Sequence, residues 1–277
     1  MSAPDPTAAV AAARAGSRAR RVAYPRRVLR LRVLRAQRLC RSLLRLTIGG
    51  PEATGFQSHT VDEHVRLLFP GPGRPLPVQR GDGDLDWPNP RPPGRDYSVR
   101  RHDPPTGEID VDVVLHAGGL ASDWAAAAAP GDPVHLVAPT GGVVVPDRYS
   151  HYVLAGDLSA APVVARWLET LPSTARGWAF LEVADERDHF ALPAHPGIDV
   201  RWVPRGAVEA GLSDVLEQAV RSVPLPAGAT PYVWVAGEAG VIRPIRRWAR
   251  EELGLARSAA SVVGYWKRGA TELDPDD

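Results

Sequence analysis

A single cysteine, Cys40, and a single lysine, Lys267, stand in a chain of 277 residues with 33 basic and 32 acidic side chains. One cysteine excludes an intrachain disulfide and a cysteine-rich metal site, and it fits a reducing cytoplasm. The formal net charge of +1 removes any global demand for a nucleic-acid or anionic-membrane partner. No apolar run approaches the roughly 20 residues of a spanning helix, so no membrane span is expected. The first 21 residues are rich in Ala and Arg but lack a signal peptide's apolar core, and residues 1–25 read as a disordered tail. Several signatures are also missing: G-x-G-x-x-G between strand and helix, the P-loop, H-E-x-x-H and G-x-S-x-G. These absences weigh against P-loop NTPases, zinc hydrolases and α/β-hydrolases. The eight histidines are scattered without ligand spacing, so no metal site is expected.

What is present falls into two halves, 26–146 and 147–277. In the first, short apolar runs alternate with Pro and Gly turns, at 28–33, 43–48, 64–69, 109–116 and 133–137. In Ile109-Asp110-Val111-Asp112-Val113 aliphatics and carboxylates swap faces, as on a half-buried strand. Strands at this spacing predict a barrel or sandwich. One helix is expected over 122–129, and the Pro- and Gly-crowded stretch 71–94 reads as loop. In the second half, runs at 151–155, 178–183, 199–203 and 232–236 read as buried strands. They alternate with helical stretches at 161–171, 212–222 and 242–253, which implies parallel βαβ units. Trp167 and Trp248 sit at core positions of two of these helices.

The strongest local signal is Arg95-Asp96-Tyr97-Ser98-Val99-Arg100. A flavin needs an aromatic plane against its ring, a hydroxyl near N5 and a cation for its phosphates. Strand periodicity puts Arg95, Tyr97 and Val99 on one face and Ser98 and Arg100 on the other. A bulge or bend would let both sets reach one ligand. An ordinary edge strand with solvated arginines fits the same residues. Gly118 and Gly119 precede a helix, where small residues let backbone N–H groups approach a diphosphate. Gly156-Asp157-Leu158-Ser159 follows a strand of the second half, where open α/β sheets bind ligands; a plain helix cap fits equally well.

R-x-Y-S-x-R is similar to the flavin signature of ferredoxin-reductase-like flavoproteins, and the rest of the chain resembles the siderophore-interacting proteins, a family of ferric-siderophore reductases. The resemblance runs in order through Asp62-Glu63-His64-Val65-Arg66-Leu67-Leu68-Phe69-Pro70, the stretch Val113 to Ala125, Gly156 to Pro162, Ala236-Gly237-Glu238, Arg246-Arg247 and Gly264 to Gly269. Ser98 and Ser159 stand where the family has Thr, and Leu120 replaces the proline of its Gly-Pro-Ala turn.

The resemblance implies an N-terminal antiparallel β-barrel with one helix and a C-terminal α/β nucleotide-binding domain with a parallel sheet. It implies FAD held by Arg95, Tyr97, Ser98, Arg100, Val114, Leu115, His116, Gly118, Gly119, Ala121, Ser122 and Trp124, with Trp266 covering the ring. NADPH or NADH would be held by Asp157, Ser159, Glu238, Arg243, Arg246 and Arg247, with ferredoxin left open as another electron donor. Arg66, Lys267 and Arg268 would face an anionic ferric siderophore. Arg187, Arg243, Arg246 and Arg247 are the candidate readers of a 2′-phosphate and favour NADPH. No acid–base catalyst is assigned, because outer-sphere reduction of Fe(III) needs none. The implied function is cytoplasmic release of siderophore iron as Fe(II). Two other readings stay open. One is a general flavin or quinone reductase. The other is a nucleic-acid binder using the basic run 14–45, against which stands the lack of aromatics beyond Tyr24.

Overall fold

The computed structural model describes residues 6–17, 19–81 and 84–270. It forms two compact units, and the division in the chain falls between Val145 and Pro146.

In the first unit, helix α1 (Pro6–Arg14) and strand β1 (Arg20–Ala23) precede β2 (Val28–Cys40), β3 (Leu43–Gly49) and β4 (His64–Leu68). The short pair β5 (Val78–Gln79) and β6 (Leu85–Asp86) follows, then β7 (Gly94–Asp103), β8 (Glu108–Val114), helix α2 (Leu120–Ala127), β9 (Pro133–Val137) and β10 (Gly141–Val144). Six strands close into an antiparallel barrel in the order β2-β3-β8-β7-β4-β9. Sequence alternation explains the closure. Leu29, Leu31 and Val33 of β2, Leu46 and Ile48 of β3, and Ile109, Val111 and Val113 of β8 are buried together in one core. Each such side chain contributes about 1.5–3 kcal/mol by leaving water.

The intervening carboxylates of β8 are nearly as buried, and each finds a partner on a neighbouring strand. Arg45 donates to both Asp112 oxygens at 2.7 and 2.8 Å. Thr47 donates to Asp110 at 2.7 Å, and Arg101 donates to its other oxygen at 3.0 Å. Arg35 binds Glu108 at 2.6 and 2.9 Å, and its hydrogen bonds hold the Glu108 carboxyl below its usual range. Arginines of the basic run thus serve a cross-strand ladder on the barrel's outer face, which weighs against reading that run as a nucleic-acid surface.

The expectation of a disordered tail over residues 1–25 is corrected for its described part. Ala-rich sequence forms α1, and β1 pairs antiparallel with β10 from Arg20↔Val144 to Ala23↔Gly141. Composition hid the pairing because the partner strand carries the signal. At Gly141, which holds φ +110°, a Cβ would lie 1.8 Å from the Val22 carbonyl oxygen. Tyr24 then donates from its hydroxyl to the buried Glu63 at 2.7 Å.

The second unit contains β11 (His151–Asp157), α3 (Ala161–Thr170), β12 (Gly177–Val183), β13 (Ile198–Pro204), α4 (Val215–Arg221), β14 (Pro231–Glu238), α5 (Ala239–Arg247) and β15 (Ala260–Trp266). The strands form one parallel sheet in the order β13-β12-β11-β14-β15. Phe180, Val233, Val235, Ile242 and Trp248 pack in its core, and Trp167 is buried on α3. The order reverses between β11 and β14, and open α/β sheets bind ligands outside the carboxyl ends of strands at such a switch point. Among the described residues no helix is long and apolar enough to cross a membrane, and no cluster of His, Cys, Asp or Glu could hold a metal ion.

Removing Arg45 leaves the Asp112 carboxylate, whose side chain is 1% exposed, without its ion partner. Arg45→Ala should destabilise the barrel by about 3 kcal/mol. In native-state hydrogen exchange, amides of β3 and β8 that open with the barrel should then exchange about a hundredfold faster. Unchanged protection there would show that the ladder contributes nothing to the barrel.

Candidate functional site

The first candidate site lies on β7 and the turn that leaves β8. Along β4, β7 pairs Tyr97 with Val65, Ser98 with His64 and Asp96 with Arg66. Along β8, the ladder runs from Asp103↔Glu108 to Val99↔Val111 and goes no further towards Arg95. A register shift between Val99 and Arg101 marks a β-bulge at Arg100. Such a bulge bends the strand and increases its twist, and β7 parts from β8 at this point. The residues beyond the parting are Arg95 to Ser98 on one side and the end of β8 on the other.

Tyr97 packs its half-buried ring against the barrel core, and burial pushes its hydroxyl up to about 12, so it stays protonated at neutral pH. Ser98 is buried, Arg95 donates to the Gly94 carbonyl at 2.7 Å, and Arg66 pairs with Asp96 at 3.1 Å.

Where β8 ends, Val114 and Leu115 are half-buried, and the Leu115 N–H donates to Ser42 O at 2.8 Å. Gly118 adopts φ +74°, a turn that favours glycine. Ser122 fixes the turn from inside the helix: its hydroxyl accepts from the His116 N–H and donates to the His116 carbonyl, both at 2.8 Å. Gly119 lies against the exposed His116 ring, which would have to turn aside for a Cβ there. No side chain caps α2, which leaves its first-turn N–H groups for an anion. Ala121 is buried in that first turn. Trp124 meets Phe69 edge-on at 5.6 Å, beside an open apolar hollow of about 220 Å³ walled by Leu67, Val134 and His135. An aromatic ring, a hydroxyl, two arginines and an uncapped helix start are the donor set that FAD requires, so the residues present fit that group.

The second candidate site is the carboxyl edge of the parallel sheet. Asp157 ends β11, and one of its oxygens accepts the Ser159 N–H at 2.8 Å and the Ser159 hydroxyl at 2.5 Å. Its other oxygen accepts the Trp266 indole N–H at 2.7 Å. The capping role weighed for Asp157 is therefore present, and Trp266 is engaged within this unit. Glu238 ends β14, is buried, and accepts from the Gly240 and Val241 N–H groups, starting α5 at Ala239 rather than Ile242. Its second oxygen accepts the Arg268 N–H at 3.1 Å, while the Arg268 guanidinium binds Glu209 at 2.7 Å. Gly156 lets the switch point close, since a Cβ there would lie 2.2 Å from Ala236 O.

The three arginines of α5 are not gathered at this edge. Arg246 donates to Val262 O at 3.0 Å and fastens α5 to β15, while Arg243 and Arg247 are exposed. At about 1.5 Å per residue, Arg247 lies about 12 Å along the helix from its start. Arg187 is bound by Asp185 at 2.7 Å, and Lys267 is exposed.

Sequence reasoning missed four residues at this edge. Glu182, at the end of β12 opposite Asp157, is 4% exposed. Its Oε2 has no hydrogen-bond partner, and its Oε1 lies 3.9 Å from Arg205. Burial and then Asp157 push the Glu182 carboxyl up to about 7, against the pull of Arg205. Glu209 binds Arg268, and Gly211 lies against Glu238 and Trp266, where a Cβ would be 2.9 Å from the Glu238 side chain. The signal available in advance was a carboxylate interrupting an apolar strand, Phe180-Leu181-Glu182-Val183.

Comparison with known proteins agrees with both halves. Residues 32–143 match the model of the siderophore-interacting FAD-binding domain, and residues 149–269 match that of the siderophore-interacting protein. The chain is 33% identical over 254 residues to ferric vibriobactin reductase ViuB of Vibrio cholerae, covering 90% of this chain and 92% of that one. The chain belongs to the siderophore-interacting proteins. To an NADPH-dependent ferric-chelate reductase of Escherichia coli this siderophore-interacting protein is 33% identical, over 88% of itself and 96% of the relative. The crystal structure of a siderophore utilization protein from T. fusca superposes with a TM-score of 0.86 at 36% identity, over 94% of this chain and all of that one.

Glu238 joins the start of α5 to the segment after β15. Glu238→Ala removes a buried acceptor from three N–H groups and should cost about 2 kcal/mol. Exchange of the Arg268 amide should accelerate before any change in the barrel. If it does not, Glu238 is a cap for α5 alone.

Proposed function

We propose that this siderophore-interacting protein is an FAD-dependent reductase that takes electrons from NAD(P)H and passes them to Fe(III) held by a siderophore, releasing Fe(II). The observation that carries this reading is the parting of β7 from β8 at Val99. It puts Tyr97 and Ser98 beside a gap whose other side leads into the uncapped start of α2. The relatives' names, a ferric vibriobactin reductase and an NADPH-dependent ferric-chelate reductase, support the acceptor and the donor.

When bound, the flavin supplies the exchange between a two-electron hydride donor and one-electron iron acceptors. The chain supplies placement. Tyr97 offers its ring face to the flavin, and Ser98 offers a hydroxyl at the ring edge. Arg95 and Arg100 offer charge, and the first-turn amides of α2 take the diphosphate. In the second unit Asp157 and Glu238 shape the carboxyl edge where the nucleotide docks. No side chain moves a proton in this scheme. NADPH is the favoured donor over NADH or ferredoxin, and such a donor suits the cytoplasm.

Purified protein should be yellow, bleach anaerobically with NADPH, and recolour with a ferric catecholate siderophore while a ferrous chelator takes up the iron. Tyr97→Ala should lose most of its FAD with the fold intact, read by absorbance and circular dichroism. Full occupancy in the variant would remove β7 from the site.

The exposed Lys267 is proposed to attract the anionic ferric siderophore, with Arg268 near its carboxylate partner as a weaker contributor. Lys267→Ala should raise the apparent KM for an anionic siderophore several-fold, about 1 kcal/mol for one partly exposed charge. It should also flatten the salt dependence of the rate. Identical kinetics at low ionic strength would put the acceptor site elsewhere.

A further inference from the structure

Glu63 stands one residue before β4, and it is 0% exposed. Glutamate is almost never buried so completely without a partner. One of its oxygens accepts the Tyr24 hydroxyl at 2.7 Å, and the other has no hydrogen-bond partner. The main chain of the same residue is engaged where the barrel opens. The Glu63 carbonyl accepts the Val99 N–H at 2.9 Å. His64 and Val65, the next two residues, pair with Ser98 and Tyr97. Val99 is also where the ladder between β7 and β8 stops. Tyr24 comes from a distant part of the chain, just after β1, and its own N–H donates to the Thr140 carbonyl at 3.1 Å. Its ring meets His59 edge-on at 5.7 Å. Gly142 of β10 packs against the same segment. A Cβ there would overlap the buried Thr60 hydroxyl and lie 3.1 Å from the Glu63 side chain. Two stretches remote in sequence, one ending at Tyr24 and one around Gly142, thus converge on a carboxyl that the scheme above does not use.

We propose that Tyr24 and Glu63 are positioning residues of the flavin site. Their hydrogen bond fixes the main chain at residue 63, and the Glu63 carbonyl in turn fixes β7 at Val99, so that Tyr97 and Ser98 stand where the ring meets them. This rests on the reading of β7 as the flavin strand and deepens it. Beyond the bulge β7 is held by β4 alone, so its register at the opening depends on the bonds that β4 and the residue before it supply. A buried carboxyl keeps the geometry in which its donor meets it, because leaving that donor restores no bond to water. A strand tied at its parting point to a carbonyl so fixed is held against slipping. Such pre-organisation raises affinity by removing competing arrangements from the free protein.

Tyr24→Phe keeps the ring and removes the donor. Dilution of the FAD-loaded protein, read by the recovery of flavin fluorescence, gives its affinity for FAD. The visible circular dichroism at saturating FAD reports how the ring is seated. Arg45→Ala, on β3, serves as a control that weakens the barrel away from β4. Tyr24→Phe should hold FAD about tenfold more weakly than wild type, with an altered dichroism of the bound flavin. Arg45→Ala should lose more thermal stability than Tyr24→Phe and yet keep the wild-type FAD affinity and spectrum. A saturated spectrum of Tyr24→Phe identical to that of wild type overturns the proposal. So does an FAD affinity that falls in step with stability across both variants, which marks a merely structural contact. Absence of FAD binding by wild type overturns the flavin reading of β7, and this proposal with it.

Discussion

One extra residue in β7 sets the geometry on which the proposed flavin site depends. A regular ladder would hold β7 against β8 along its whole length, with Tyr97 facing the barrel interior and Ser98 facing out. The bulge at Arg100 ends that pairing at Val99, whose N–H turns instead to the Glu63 carbonyl at 2.9 Å. Half of β7 then belongs only to β4. A closed barrel leaves no free edge for a ligand, so a strand must leave the ladder to make one. The arginine–carboxylate ladder on β3, β8 and the far end of β7 keeps the remaining wall closed while this happens.

The carboxyl edge of the second unit shows a different constraint. Asp157, Glu182 and Glu238 gather there, although a dinucleotide brings phosphates. Two of the three carboxyls are occupied by N–H donors of the chain itself. Hydrogen bonds spread their charge and make them part of the scaffold. Glu182 lacks such donors, and its environment favours the neutral form instead. A local surplus of carboxyl groups is thereby compatible with an anionic ligand.

The sequence made the fold legible wherever one strand's pattern was decided by its own residues. Pro133 to Val137 and the runs at 43–48 and 64–69 appear as strands within a residue or two of expectation. Strands that depend on a distant partner were not legible. β1 exists because Gly141 leaves room for it, and β15 because β14 offers it an edge. The flavin motif was legible because its residue types are contiguous, and the possibility of a bulge followed from the strand period. The edge residues come from two places in the chain, Glu182 on β12 and Arg205, Glu209 and Gly211 in the segment after β13, and the pairing of β12 with β13 unites them. The arginines of α5 misled for the opposite reason: helical spacing grouped them, but Arg246 spends its charge on the Val262 carbonyl.

That partial legibility follows from the chemistry. A hydrolase concentrates its function in a few reactive side chains at readable spacings. A reductase whose cofactor carries the reaction asks the protein mainly for backbone shape. Here the turn at Gly118 and Gly119, the Ser122 hydroxyl closed on His116, and the glycine contact at Gly156 are such shapes. Glycine and serine at these points look like ordinary turn residues until the positive φ of Gly118, the Ser122 bonds and the close approach at Gly156 are known. The reactive-looking groups are then mostly structural, and the group that departs most from its ordinary acidity near a ligand edge, Glu182, lies in an otherwise apolar strand. Function in this fold is written first in where the chain comes close to itself, and only then in its charges.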